Sequence, residues 1–396
     1  MFFSIANQHK DNFSHFYQLG SFAVSTDAGW TELQLDKHHI LYKGYADDDR
    51  LSQLLDLVVK QTEPALLGNF CVLVFDSTTD TLKIKTDRCR SFPIYIESTS
   101  EVTNLTRLSH TAWTDSLVEI NPDMSVNETK FDVIGAIDTT YTTVDEAVAK
   151  INTILEIKTQ KFVKVNDFAV KTFLTGGVDS LLVYSYLQRY TDNYEMVKCS
   201  HVDYDEFWLK NSGTLKTLWG YNQIHHWNDP CILTSGAPGD EFMLRSPVTV
   251  NLFLRLQDRN MVDLLKQEQW QGCLHDAYFN LSKNYATFAD NKPLPKWNRQ
   301  EMIWNLCNIL VNDWQHWHIG NTLTWTPLRD VEIIKLLLRL HVDNALGQIM
   351  NSDISCQLIE QNKAGLTGVI SDQKNSGNYM KNLVDFYFRT LDKAPQ

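Results

Sequence analysis

The chain has 396 residues, 43% hydrophobic and 21% charged, a balance that supports a buried core and excludes disorder over most of its length. Its formal net charge is -12, from 48 acidic against 36 basic residues, which excludes the broad positive field that non-specific nucleic-acid or anionic-membrane binding requires. Such a length suits two or three domains of roughly 100–200 residues each.

The seven cysteines, at 71, 89, 199, 231, 273, 307 and 356, are odd in number and form no CxxC pair. They signal neither a zinc site nor a disulfide framework and point to a reducing compartment. The start, MFFSIANQHKDNFSHF, lacks the charged n-region and long h-region of a signal peptide. No apolar run approaches the ~20 residues of a membrane helix. The expectation is a cytoplasmic protein with no nucleic-acid and no membrane partner. A homo-oligomer is compatible with the sequence, which does not set the oligomeric state.

The first 130 or so residues read as β-rich. GNFCVLVFD (68–76) and TLKIKTD (81–87) are rich in β-branched and aromatic residues and are joined by Ser77-Thr78-Thr79-Asp80, so they predict a hairpin. IYIES (94–98) follows Pro93 as a further strand, and DRLSQLLDLVVK (49–60) has the apolar spacing of a helix. The character changes near Thr143, and the stretch 125–142 is the predicted boundary between domains 1–130 and 143–396. Val144, Ala147, Val148, Ile151, Ile154 and Leu155 lie on one helical face, and Thr143 with Glu146 fits a capping box.

FAVKTFL (168–174) is a continuous apolar run, as a parallel strand buried on both faces requires. SLLVYSYLQRY then reads as a helix, MVKCSHV (196–202) as a second strand and CILTSG (231–236) as a third. This alternation predicts an α/β fold with a doubly wound parallel sheet. From about 250 the chain reads as mostly helical, with VEIIKLLLRLH (331–341) the clearest helix and Asp330 placed to cap it.

The sharpest chemical signal is Leu174-Thr175-Gly176-Gly177-Val178-Asp179-Ser180, between a buried strand and a helix. Adjacent glycines let backbone approach an anion, and the turn amides with the positive helix end favour phosphate. Thr175 and Ser180 add hydroxyl donors. Asp179 repels phosphate by itself, so it makes sense as a ligand for Mg²⁺ carried by that phosphate.

LTGGVDS resembles the SGGxDS pyrophosphate loop of the ATP pyrophosphatases, with Thr175 in place of the first serine. Three more segments resemble asparagine synthetases within that superfamily. GNFCVLVFDSTTDTLKIKTDRCRSFPIY (68–95) is similar to the sheet of their N-terminal glutaminase-like domain, of the Ntn type, although the order here is Asp87-Arg88 and Ser91 stands at the family glycine. LTSGAPGDE (233–241) is similar to their S/T-G-x-G-x-D-E loop. TWTPLRD (324–330) and DQKNSGNY (372–379) are similar to the R-x-P-F-L-D block and the Q-K-E segment.

The resemblance implies a degenerate glutaminase-like domain followed by an ATP pyrophosphatase domain with a helical C-terminal part. It implies ATP and Mg²⁺, with Leu174, Thr175, Gly176, Gly177, Asp179 and Ser180 at the pyrophosphate and Ser200, His201, Ser235 and Gly236 at further nucleotide contacts. By the same resemblance, Asp179 and Asp240 hold the metal. Lys374 neutralises charge on the phosphates and adenylate. Asp240 and Glu241 are the further catalytic candidates, with Glu241, or a histidine, as the alternative base for the amine.

Two departures bear on mechanism. Class II glutaminases use a mature N-terminal cysteine, whereas residue 2 is Phe2 and no cysteine precedes Cys71. Glutamine hydrolysis is therefore not expected, and in this the chain is similar to β-lactam synthetases and lasso-peptide cyclases. Ala237 stands where the family carries Glu or Tyr, so the usual acid or base is missing. The expected activity is ATP-dependent activation of a carboxylate, on a small molecule or peptide, followed by amide formation with ammonia or another amine. The alternatives are a peptide or small-molecule cyclase and a nucleotide-binding homologue without turnover. His225-His226 and Asp47-Asp48-Asp49 read as surface features, and WQHWHIG (314–320) as packing of an amphipathic helix.

Overall fold

The computed structural model describes residues 3–6, 13–46, 68–87, 92, 94–98, 107–111, 116–130, 142–165, 169–174, 177–198, 230–234, 236, 239–245, 322–340, 352–363 and 365–369. The fold is mixed α/β, with antiparallel sheets in the first third of the chain and a parallel sheet in the remainder.

Strands β1 (Phe3–Ala6), β2 (His15–Leu19) and β3 (Phe22–Thr26) form an antiparallel sheet in the order β1-β3-β2. A six-stranded antiparallel sheet contains β4 (Thr31–Leu35), β5 (His38–Ala46), β6 (Gly68–Asp76) and β7 (Thr81–Thr86). Two further strands, β8 (Tyr95–Ser98) and β9 (Arg107–Thr111), pair with each other. The six-stranded sheet is completed by β10 (Ser116–Ile120) and β11 (Val126–Lys130), in the order β11-β10-β7-β6-β5-β4. The expected hairpin is β6–β7, in register from Cys71↔Thr86 to Asp76↔Thr81. Its turn is set locally, because Asp76 Oδ1 accepts from Thr78 N at 2.8 Å.

The unbroken apolar run of β6 follows from the two-residue period of a strand. Cys71, Leu73 and Phe75 join a cluster with Phe22, Val24, Leu82, Ile84 and Val118, while Phe70, Val72 and Val74 join Ile40 and Leu117 in another. The three-stranded and six-stranded sheets are tied at one end by Asp80, which accepts from Ser21 N at 3.1 Å and Ser21 Oγ at 2.6 Å. Gly20 beside it has φ +52, and a Cβ there would overlap Asp80 and come within 2.7 Å of the Phe75 ring. Only glycine suits that turn.

Lys43, on β5, is fully buried and donates to Asp27 Oδ2 at 2.7 Å and the Ala28 carbonyl at 2.9 Å. Burial lowers the Lys43 pKa and raises that of Asp27, and their mutual attraction opposes both shifts.

Helix α1 (Val144–Val165) opens the second part of the chain. Its capping box forms as expected: Glu146 N donates to Thr143 Oγ1 at 3.2 Å and Thr143 N donates to Glu146 Oε2 at 3.0 Å. On the expected face Ala147, Val148, Ile151 and Leu155 are buried. Residues 126–130, within the predicted boundary stretch, form the edge strand β11.

Strand β12 (Ala169–Leu174) leads into α2 (Val178–Tyr190), followed by β13 (Tyr194–Lys198), β14 (Cys231–Thr234) and the short helix α3 (Gly239–Phe242). Strand β15 (Thr322–Trp325), helix α4 (Val331–Leu338) and helix α5 (Asp353–Asn362) complete the described elements. The four strands β12–β15 are parallel, in the order β13-β12-β14-β15. Helix α2 starts two residues earlier than SLLVYSYLQRY predicted, and β13 is described only to Lys198. The TWTPLRD segment begins within the last strand of this sheet, which its polar threonines did not announce.

Helix α1 is fastened to this sheet by Phe162, whose ring stacks on Trp325 at 4.0 Å. Asp330 caps α4, as expected, by accepting from Glu332 N at 2.7 Å and Ile333 N at 3.3 Å. Its other oxygen accepts from Lys158 Nζ of α1 at 2.8 Å, with both side chains buried. No helix among the described residues is long and apolar enough to cross a membrane. The helix predicted at 49–60, the histidine pair, the acidic run and WQHWHIG lie outside the described residues.

Candidate functional site

Strand β12 sits between β13 and β14, so the chain leaves it first to one side and then to the other. Ligands of open parallel sheets bind at the carboxyl ends of the strands, where the order reverses in this way. The segments at that point are the diglycine turn after β12 and the glycine-containing turn after β14.

The segment after β14 packs on the first turn of α2. Gly236 is buried, and a Cβ on it would overlap the peptide between Asp179 and Ser180, coming within 2.6 Å of the Asp179 carbonyl oxygen. Gly239, at the start of α3, lies against the Asp179 side chain, and a Cβ there would come within 2.7 Å of Asp179 Cβ. These two glycines are required by close approach. Gly177, by contrast, is the N-cap of α2 with φ -77 and ψ 152, extended backbone that any residue adopts. Its presence answers no conformational need of the cap itself.

Asp179 stands in the first turn of α2, where the helix dipole favours a carboxylate. Its Oδ2 is ion-paired with Arg245 Nη2, just beyond α3. Its Oδ1 is buried. Arg245 Nη1 donates to Ser352 Oγ at 2.6 Å, and Ser352 is the residue that precedes α5. One guanidinium thus joins the β12–α2 turn, the segment after α3 and the start of α5. Ser180 is buried, and its hydroxyl donates to the Gly177 carbonyl at 2.9 Å, so here it braces the turn from within.

Of the residues singled out in the sequence, Leu174, Gly177, Asp179, Ser180 and Gly236 are at this reversal point. Asp240 and Glu241 lie in α3, next to Gly239. Thr175, Gly176, Ser200, His201, Ser235, Ala237 and Lys374 lie outside the described residues. Asp330, from the TWTPLRD block, is a cap and an ion-pair partner deep in the fold.

Sequence reasoning passed over Gly239, Arg245 and Ser352. A signal for Arg245 existed: it follows Phe242-Met243-Leu244, all buried, and a charge in such a run requires a carboxylate partner. Ser352 offered none.

The resemblance assigns Mg²⁺ to Asp179. Here one of its oxygens is paired with the Arg245 guanidinium and the other is buried, with Gly239 close against the side chain. No step is routed through that ion below. No protein-family model matches the chain, and no curated protein matches it.

Proposed function

We propose that this protein is an ATP-dependent amide-forming ligase of the asparagine synthetase-like kind, without glutaminase activity. The observation that carries the reading is the close packing of Gly236 and Gly239, after the third strand of the parallel sheet, on the first turn of the helix that follows the first strand, where the strand order reverses. A backbone surface of that kind suits the polyphosphate of a nucleotide. The LTGGVDS and SGAPGDE sequences at these turns carry the likeness to ATP pyrophosphatases.

In this reading a substrate carboxylate oxygen attacks the α-phosphorus of ATP. The bond to the bridging oxygen breaks, and pyrophosphate leaves with the electron pair. An amine nitrogen then attacks the acyl carbon, loses a proton and expels AMP. Backbone amides of the turn steady the transferred charge, and Lys374 supplies a fixed cation. In this reading the nitrogen comes from ammonia or another amine.

The test is pyrophosphate release by the full chain with ATP, a panel of carboxylates and either ammonium or glutamine. Release that depends on one carboxylate, responds to ammonium and falls in Lys374→Ala supports the reading. Glutamine-driven turnover refutes the missing glutaminase, and no release with any carboxylate refutes the ligase.

A second reading, a nucleotide-binding homologue without turnover, has its own observation. Ala237 offers no titratable group at the family's acid or base position. ATP binding without pyrophosphate release under any condition of the same screen selects it.

A further inference from the structure

A polar atom taken out of water loses its hydration, and folded proteins return a hydrogen bond to nearly all such atoms. Two atoms at the carboxyl end of the parallel sheet depart from this rule together. Among the described residues, neither Thr234 Oγ1 nor Trp325 Nε1 has a hydrogen-bond partner. Both residues are 0% exposed.

The two are neighbours in the sheet. Thr234 is the last residue of β14 and Trp325 the last of β15, and they are partners in the parallel register. Register partners share a face, on strands about 4.8 Å apart. That face is the one α1 covers, since Phe162 of α1 stacks on the Trp325 ring with 6° between the planes. The stack sets the direction of the indole N–H by packing. Thr172, the register partner of Thr234 on β12, is 1% exposed and extends the same polar row.

The chemistry of the pair restricts what joins it. An indole N–H only donates, whereas a hydroxyl donates and accepts. The joining group must accept from the indole and bond the hydroxyl in either sense. Full burial of both side chains selects the smallest group that does so, and internal water bridges buried polar groups in this way.

We infer that Thr234 and Trp325 hold an internal water molecule, which accepts from Trp325 Nε1 and bonds the Thr234 hydroxyl. It joins β14 to β15 through side chains at the end of a ladder in which β15 contributes only four residues. The inference does not depend on the nucleotide reading above.

The experiment is a double-variant cycle on the full chain in urea, with a crystal structure of the wild type that shows ordered solvent. Thr234→Val is nearly isosteric and takes one partner from the water, so it should lower the urea midpoint by about 0.5 M. In the Trp325→Phe background the bridge is already broken, and Thr234→Val should shift the midpoint by less than about half as much. The cycle cancels the cost of the smaller ring, which both Trp325→Phe chains carry. The crystal structure should show a solvent oxygen within about 3.2 Å of both Thr234 Oγ1 and Trp325 Nε1.

An unchanged or raised midpoint in Thr234→Val overturns the inference, because removing a hydroxyl that bonds nothing costs nothing. Equal shifts from Thr234→Val in the two backgrounds also overturn it. So does a wild-type crystal structure in which that oxygen is missing or the two side chains bond each other directly.

Discussion

Asp330 closes the TWTPLRD block, and its surroundings give it a structural task that is measurable. It is 2% exposed and holds three donors: two backbone amides at the start of α4 and the Lys158 ammonium of α1. Replacing Asp330 by alanine removes the cap, which costs about 1 kcal/mol, and strips a buried lysine of its carboxylate, which costs about 3–5 kcal/mol. The loss of about 5 kcal/mol is comparable with the whole stability of an ordinary domain. Asp330→Asn keeps the capping oxygen and should lose about 1 kcal/mol less. Lys158→Met with Asp330→Asn removes both charges and should return to within about 2 kcal/mol of wild type.

Urea denaturation followed by far-ultraviolet circular dichroism gives these differences as midpoint shifts at constant slope. Burial alone raises the Asp330 pKa, but Lys158 and the two amides outweigh it and hold the carboxyl below its ordinary value. A depressed native pKa means that the stabilisation is full above the unfolded-chain value of about 4 and is lost as pH falls through the native value. Asp330→Asn should therefore flatten the acid limb of the stability curve. An Asp330→Ala variant within about 1 kcal/mol of wild type, or an unchanged acid limb in Asp330→Asn, refutes the reasoning.

Three further outcomes follow from the geometry. Gly236→Ala drives a Cβ into the peptide between Asp179 and Ser180, which has no flexible end to yield; it should cost about 3 kcal/mol in urea midpoint and abolish ATP binding in calorimetry. Thr143→Ala breaks the capping box of α1 and should cost about 1 kcal/mol by the same denaturation measurement, with no effect on ATP affinity. Lys43→Met leaves the Asp27 carboxylate without its ammonium and should cost about 3 kcal/mol, whereas Lys43→Met with Asp27→Leu should be close to neutral in thermal melting.

The elements that could be read directly from the chain are those whose hydrogen bonds close within a few residues or whose burial follows a short period. The β6–β7 hairpin turns on Asp76 and Thr78, two residues apart. The Thr143–Glu146 box spans three residues, and the Asp330 cap two and three. The alternating faces of GNFCVLVFD and the helical face from Ala147 to Leu155 likewise need only pleat and pitch to be recognised. The diglycine turn announced a strand-to-helix corner in the same way.

Partners far apart in the chain could not be found like this, because sheet order chooses them. Only the placement of β12 between β13 and β14 brings Gly236 against Asp179 and Ser180, and so explains that glycine by proximity. The same placement brings Arg245 to an aspartate 66 residues earlier and a serine 107 residues later. Lys158 meets Asp330 across 172 residues. A motif names the groups at a corner of the chain; the charge each one faces is decided by which strands lie side by side, since electrostatic attraction acts through space and takes no account of sequence order.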